Sequence, residues 1–337
     1  MASEAPPKRA VVICQEIAES RLDPIVALKQ SPHLTDAERK KLLAASSSDL
    51  ERALGMGAKV WERPDYSPTL ADAGQIPQAL WVRGNPSALH APTVAIVGTR
   101  SATTYGKAVA QKFAERLAKC GVTIISGGAL GIDHAAHTGA LQAGGKTAAV
   151  MATGIEGTYP HNHRGLFQQI AETGCLISQF ACGTKPDHYR FLQRNQLIAA
   201  LSDAVLVVEA PEVSGALRTA GAAADLNRMV FVVPGNISLT NFRGSHALIR
   251  DGAMLVDHPD QVLETLGIEG GPTEEALIED LPAPQRAIIA VLGDDPISSE
   301  VIVDKTGLDV SVVSSELTLL ELDGIILRDG IGYARKP

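Results

Sequence analysis

The sequence predicts an α/β protein built on a doubly wound parallel sheet, with a helical segment before the sheet and a small helix-and-hairpin domain after it. Three observations predict this. Short apolar runs recur between Thr93 and Val233, each ending in a turn rich in Gly, Pro or polar residues. Helical stretches of roughly ten to fifteen residues separate most of them, as crossovers between parallel strands require. Two of the runs, Ala204–Glu209 and Val230–Val233, are nearly continuous and rich in β-branched residues, the pattern of strands buried on both faces.

Composition sets the bounds. With 337 residues, 45% hydrophobic and 20% charged, the chain has an ordinary globular profile with room for two or three domains. No apolar run reaches the length of a membrane span, and MASEAPPKRA is not followed by a signal-peptide core, so a cytoplasmic location without membrane insertion is expected. Cys14, Cys120, Cys175 and Cys182 are scattered, with no C-x-x-C, and read as free thiols. The net charge of −8 is uneven: residues 269–337 hold 5 basic and 14 acidic residues, whereas residues 91–268 hold 14 and 13. Any site for a polyanion must therefore be a local concentration of Arg and Lys.

The elements follow in order. Residues 1–61 read as a small helical (SAM-like) domain, with Pro24 at a helix start and Thr35-Asp36-Ala37-Glu38 as a capping box. Residues 61–92 are Pro-rich and read as a connecting segment packed on the next domain. Thr93–Val97 is the first strand of the main domain, which spans 62–268. It breaks into Gly98-Thr99-Arg100, and a helix follows from about Thr103 with Gly121 beyond its end. Val122–Ile125 is the next strand and breaks into Ser126-Gly127-Gly128. Thr147–Met151 and Cys175–Ser178 complete the set. Residues 269–283 are an acidic linker. In 284–337, helices at Pro284–Leu292, from Ser298 and at Ser311–Leu322 precede an Asp329-Gly330 hairpin, the order of a winged helix.

Right-handed crossovers place the strand-end turns on one edge of the sheet, where ligands of open α/β sheets bind. Those turns supply Gly98, Thr99 and Arg100, then Ser126, Gly127 and Gly128, then Asn162 and Arg164. Beyond Ser178 come Lys185, Arg194 and Asn195, beyond Glu209 come Ser214 and Gly215, and beyond Val233 come Gly235, Arg243 and Gly244. Helix N-termini and Gly-rich backbone favour anions. One such site suits one phosphate; a row of them suits a nucleic-acid backbone. Tyr159 offers a ring for stacking on a base.

Competing chemistries are weaker. No acid lies between Lys119 and Gly128 to hold a ribose, and no Walker sequence is present, so neither a dinucleotide nor a P-loop NTPase is indicated. His134, His137, His161 and His163 lack the Cys or acidic partners of a metal set, so no metal and no cofactor are expected. Ser126 is not in a nucleophile-elbow sequence, and Asp133 is read as the N-cap of the helix running to Leu141.

Val94–Arg100 with Tyr105-Gly106, Ile125–Asp133 with Ala136-His137, Tyr159-Pro160-x-Asn162, Arg194-Asn195, Val208–Ala210, Ser214–Leu217 and Val233–Gly235 together resemble the DNA-processing protein A (DprA, or Smf) family. The resemblance covers roughly residues 62–268. It implies an extended Rossmann fold that binds single-stranded DNA without enzymatic activity. It also implies a homodimer that hands the strand to the recombinase RecA in natural transformation, with Arg100 a backbone contact. Gly128 and Leu130 replace the family's Leu and Arg, and Gln179, Gln196 and Ser245-His246 also depart from its pattern. The third helix of the acidic terminal domain carries Glu316 and Glu321 and no Lys or Arg, which points to protein contact rather than duplex DNA. The other functional class is a phosphoribohydrolase-like nucleotide enzyme, which would need a Pro-Gly-Gly-x-Gly-Thr turn; the chain has only Pro234-Gly235-Asn236.

Overall fold

The computed structural model describes residues 47–62, 65–73, 76–77, 79–269, 281–293, 295–322, 325–330 and 332–335. The helices expected between residues 10 and 46, Cys14 and most of the acidic linker lie outside them. The chain divides into two compact units, one ending at Glu269 and the other beginning at Gly270.

In the first unit, α1 (Ser47–Gly55), β1 (Ala58–Glu62), α2 (Pro68–Ala71) and β2 (Ala79–Gly84) precede the expected sheet. Then come β3 (Thr93–Val97), α3 (Thr104–Lys119), β4 (Thr123–Ser126), α4 (Ile132–Gln142) and β5 (Thr147–Val150). After them lie α5 (Arg164–Thr173), β6 (Cys175–Ser178), α6 (His188–Ala200), β7 (Ala204–Val207) and α7 (Gly215–Asp225). The unit closes with β8 (Met229–Val232), α8 (Arg243–Arg250), β9 (Met254–Leu255) and α9 (Pro259–Thr265). The strands form one sheet in the order β1-β2-β6-β5-β4-β3-β7-β8-β9.

From β6 to β9 the sheet is parallel, as expected, but β2 pairs antiparallel with β6 and β1 antiparallel with β2. The parallel sheet expected of residues 93–268 is present, and two antiparallel strands extend it at this edge. The connecting segment is corrected, because it contributes β2, and so is the boundary at 61/62, which falls inside β1. The reason is packing. Leu50 and Ala53 of α1 join Val60, Trp81, Met151, Phe167 and Ile170 in one apolar cluster, so α1 is built onto the sheet.

Strand alternation splits the main core into two layers. Val94 and Ile96 face Ala110, Phe113 and Leu117 of α3 and Ile132 and Ala136 of α4. Ala95 and Val97 face Leu197 and Ile198 of α6 and Ala216 and Ala220 of α7. Thr103 caps α3, accepting from Gly106 N, and Gly121 takes the left-handed conformation after it, with φ +81°. Cys175 and Cys182 are buried free thiols and Cys120 is partly exposed. No helix among the described residues is long and apolar enough to cross a membrane.

His137 gives this core a pH dependence. The Thr147 hydroxyl donates to the Ile124 carbonyl at 2.7 Å and lies 2.7 Å from His137 Nδ1. Its one proton is spent on Ile124, so Nδ1 carries the imidazole proton and donates to Thr147. The buried Nε2 then has no partner among the described residues. Burial first, and then His134, His163 and Arg194 nearby, pull the imidazole down to about 3 from an ordinary 6.5. The folded state therefore resists a proton that the unfolded chain accepts. The stability this neutral His137 contributes is complete above pH 6.5 and is lost as pH falls toward 3. Between those limits, denaturant titrations should show stability falling by up to about 1.4 kcal/mol per pH unit from this one group. His137→Gln should remove that component; an unchanged slope would refute the assignment.

The second unit has α10 (Ala283–Val291), α11 (Ser299–Thr306), α12 (Val310–Leu322) and a hairpin of β10 (Ile326–Asp329) and β11 (Gly332–Arg335). Ile288, Ile289, Ile302, Val313, Leu317, Leu320 and Ile326 form its core. Ser298 caps α11 and Gly307 ends it with φ +67°. This is the expected winged helix. On α12 the exposed positions include Val310, Ser311, Ser314, Ser315, Thr318 and Leu319, none of them basic.

Candidate nucleic-acid interface at the carboxyl edge of the sheet

Strands β4, β5 and β6 lie to one side of β3, and β7, β8 and β9 to the other. The chain reverses its winding between β3 and β7, so the turns after these two strands flank the topological switch point. A cleft of about 550 Å3 opens there, lined by Gly98, Thr99 and Arg100 on one wall and Pro211 and Val213–Ala216 on the other. Residues of α6 and the loop before it, from Pro186 to Asn195, complete it.

The turn after β3 is held from below. Thr99 N donates to Glu209 O at 2.7 Å. The Glu209 side chain is fully buried, accepting from Thr103 Oγ1 at 2.7 Å, Thr103 N at 3.1 Å and Asn241 Nδ2 at 2.5 Å. A Cβ on Gly106 would fall 2.0 Å from Glu209 Oε2, so the helix can start here only with Gly at this position. Arg100 is exposed, its guanidinium 4.6 Å from the centre of the Phe191 ring.

The turn after β4 departs from expectation. Gly127 N and Ala129 N both donate to Asp133 Oδ2, at 3.1 and 3.3 Å. Asp133 does not cap α4, whose N-cap is Gly131 with φ +80°; its side chain folds back and occupies the donors that would otherwise face an anion. Ser126, Gly127 and Gly128 are buried, and the Ser126 hydroxyl spends its proton on Ile96 O at 2.7 Å. The chain takes up the energetic consequence in Arg194. This guanidinium is buried, donating from Nη1 to Gly127 O at 2.5 Å and Val150 O at 3.1 Å, and from Nε to Asn195 Oδ1 at 3.1 Å. Asn195 Nδ2 donates in turn to Gly215 O at 3.1 Å. Burial raises the Asp133 carboxyl and lowers Arg194 to about 10, and the attraction between the two opposes both shifts. Arg194 and Asn195 thus tie together the turns after β4, β5 and β7. Their polar groups serve the protein rather than reach outward as the row of turns suggests.

The other expected residues separate into two groups. Asn162, Arg164, Lys185 and Arg243 are exposed at the strand-end loops, and Arg190 Nη1 donates to Lys185 O. Ser214 caps α7, accepting from Ala216 N at 3.2 Å. Gly244 is buried, and its N–H, with that of Ser245, donates to Ala210 O, so the start of α8 is knitted to the turn after β7. Gly235 lies on the Phe242 ring, where a Cβ would come within 2.1 Å of a ring carbon. The sequence reading missed Phe191. Its ring sits between Arg100 at 4.6 Å and Arg194 at 5.7 Å, with Tyr159 5.7 Å away and 39% exposed. Its position one helical turn before Arg194 was the available signal.

Fold and cleft define a Rossmann-like α/β protein with a cationic, aromatic-floored site at its switch point, followed by a winged helix. Residues 58–267 match the family model for DNA recombination-mediator protein A, and residues 272–330 match the DprA winged helix domain. The chain belongs to the DNA-processing protein A family. It is 35% identical to protein Smf of Escherichia coli K12, over 94% of this chain and 88% of that one. The solved structure of DNA processing protein A from Streptococcus pneumoniae superposes with a TM-score of 0.61 at 31% identity, covering 77% of this chain and 93% of that one. The protein of the same name from Helicobacter pylori, solved for its single-stranded DNA binding mode, gives 0.57 at 31% identity, covering 62% and 95%.

Proposed function

We propose that this protein binds single-stranded DNA without sequence preference at the switch-point cleft and, as a homodimer, loads a RecA-type recombinase onto it, with no catalytic step of its own. The exposed Arg100 guanidinium over Phe191 carries this reading, because it pairs a charge for the backbone with a ring for a base. Arg164, Lys185, Arg190 and Arg243 extend the charge along the same edge. Single-strand binding by the Helicobacter relative supports it. The enzymatic alternative needs a carboxylate free to act on substrate in the cleft; the buried Asp133 and Glu209 accept hydrogen bonds from their own chain, and the buried Glu156, which accepts from Gly183 N, does not line the cleft.

The test is a salt titration of oligo-dT binding by fluorescence anisotropy. The logarithm of the association constant should fall linearly with that of salt, by about 0.7 per phosphate neutralised, and similarly for mixed-base strands. Deleting residues 269–337 should leave affinity within a few-fold, since α12 offers no cation to a phosphate. Salt-independent binding, or turnover of a nucleotide, would reject the reading. A large loss on deletion would instead assign the strand to the winged helix.

A further inference from the structure

A second cleft, of about 490 Å3, opens beside the first. Its walls are Thr103 and Tyr105 at the start of α3, Pro234 to Asn236 after β8, and Leu239 and Phe242. The two clefts share no residue, but the short segment from Arg100 to Thr103 joins them, lining one at its start and the other at its end. That segment is a fixed ridge. Glu209 holds Thr103 beneath it, and Asn241 Nδ2 donates both to Glu209 and to the Ser101 carbonyl.

The chemistry of the second cleft differs from that of the first. No charged side chain lines it. Tyr105 is 51% exposed, yet its hydroxyl donates to Pro234 O at 3.2 Å and its ring stands edge-on to Phe242 at 6.1 Å. An exposed tyrosine pinned at both ends is a surface prepared for contact rather than a mobile side chain. Leu239 at 44% and Ile237 at 87% exposure keep the rim apolar. Asn236 spends its Oδ1 on Ser238 N at 2.8 Å, which turns its amide into a donor at the cleft mouth.

A phosphate finds no cation here, and a metal finds no ligand set among the lining residues. A flat group with apolar faces and polar edges finds an aromatic wall, an aliphatic rim and one amide donor. We infer that this cleft is a second nucleotide subsite, taking an unpaired base from the same strand whose backbone lies at Arg100; the inference rests on the single-strand reading above. Division of labour follows: the first cleft supplies charge, and the second supplies stacking area that is indifferent to base identity.

The test compares the full-length protein with Tyr105→Ala and Tyr105→Trp, using labelled oligo-dT of increasing length in anisotropy titrations. Tyr105→Ala should weaken the longer strands by about fivefold or more, the loss of one stacked base, and leave the shortest binding strands unchanged. Its salt slope should match wild type, because no phosphate contact is lost. Tyr105→Trp should bind like wild type or tighter. Equal affinity of wild type and Tyr105→Ala at every length would overturn the subsite while leaving single-strand binding intact. Failure of wild type itself to bind would overturn the parent reading. If Tyr105→Ala changes sedimentation but no oligonucleotide affinity, the cleft is a protein interface and the inference is wrong.

Discussion

Arg194→Ala is expected to cost about 3–5 kcal/mol of folding stability, the range for removing one member of a buried ionic arrangement. Three carbonyl or amide oxygens lose a donor at once: those of Gly127, Val150 and Asn195. Asp133 keeps its two backbone donors but loses the stronger of the two cationic attractions, from Arg194 and Arg100, that oppose its desolvation. The site cannot collapse around a smaller side chain without cost, because Gly127 lies so close that even a Cβ there would overlap the Arg194 guanidinium. Urea denaturation at pH 7 reads the effect directly. Arg194→Lys should recover only part of it, since a single ammonium cannot reproduce the guanidinium fork. A loss under about 1 kcal/mol, the scale of a single ordinary hydrogen bond, would refute the clamp.

Arg100→Ala should do the opposite. Arg100 is exposed and has no described ion pair, so stability should stay within about 1 kcal/mol, the worth of one exposed cation–π contact. Affinity for oligo-dT should fall about tenfold or more, the scale of one charge-assisted hydrogen bond, with the salt slope smaller by about 0.7. Arg100→Lys should keep the slope and lose part of the affinity. Unchanged binding in Arg100→Ala would move the strand away from the switch point. Side by side, the two arginines distinguish contact from support: one variant binds poorly and folds well, and the other folds poorly whatever it binds.

The contrast also shows what the sequence could reveal. Strands β3 to β8 and helices α3 to α7 follow from periodicity because each buries a face that local pattern announces. β1 and β2 escaped notice because prolines surround them and because Ala79–Gly84 mixes Trp, Val and Arg without clean alternation. Asp133 was misread by local logic. An acid at the start of a helix usually caps it, but here a tertiary demand from Gly127 and Ala129 prevails. For the same reason Arg194 and Asn195 read as surface residues: Arg in a strand-end motif implies a ligand, and nothing in one dimension shows that two strand ends converge on it. Arg100 and Lys185 lie exposed at their strand-end turns, as expected, because those turns are announced locally by the residues that break the strands.

The Arg194–Asn195 pair has a temporal side as well. Its bonds to Gly127, Val150 and Gly215 span 67, 44 and 20 residues of chain. Such bonds close only after β4, β5 and β7 have already docked, so they are absent from an early, partly formed sheet. Interactions made after the rate-limiting barrier act on unfolding, not folding. Loss of Arg194 should therefore leave the refolding limb of a chevron nearly in place and raise the unfolding limb. The carboxyl edge of the sheet therefore closes late and opens early, and the lifetime of the groove rests on Arg194, whose guanidinium is held by the protein's own carbonyls.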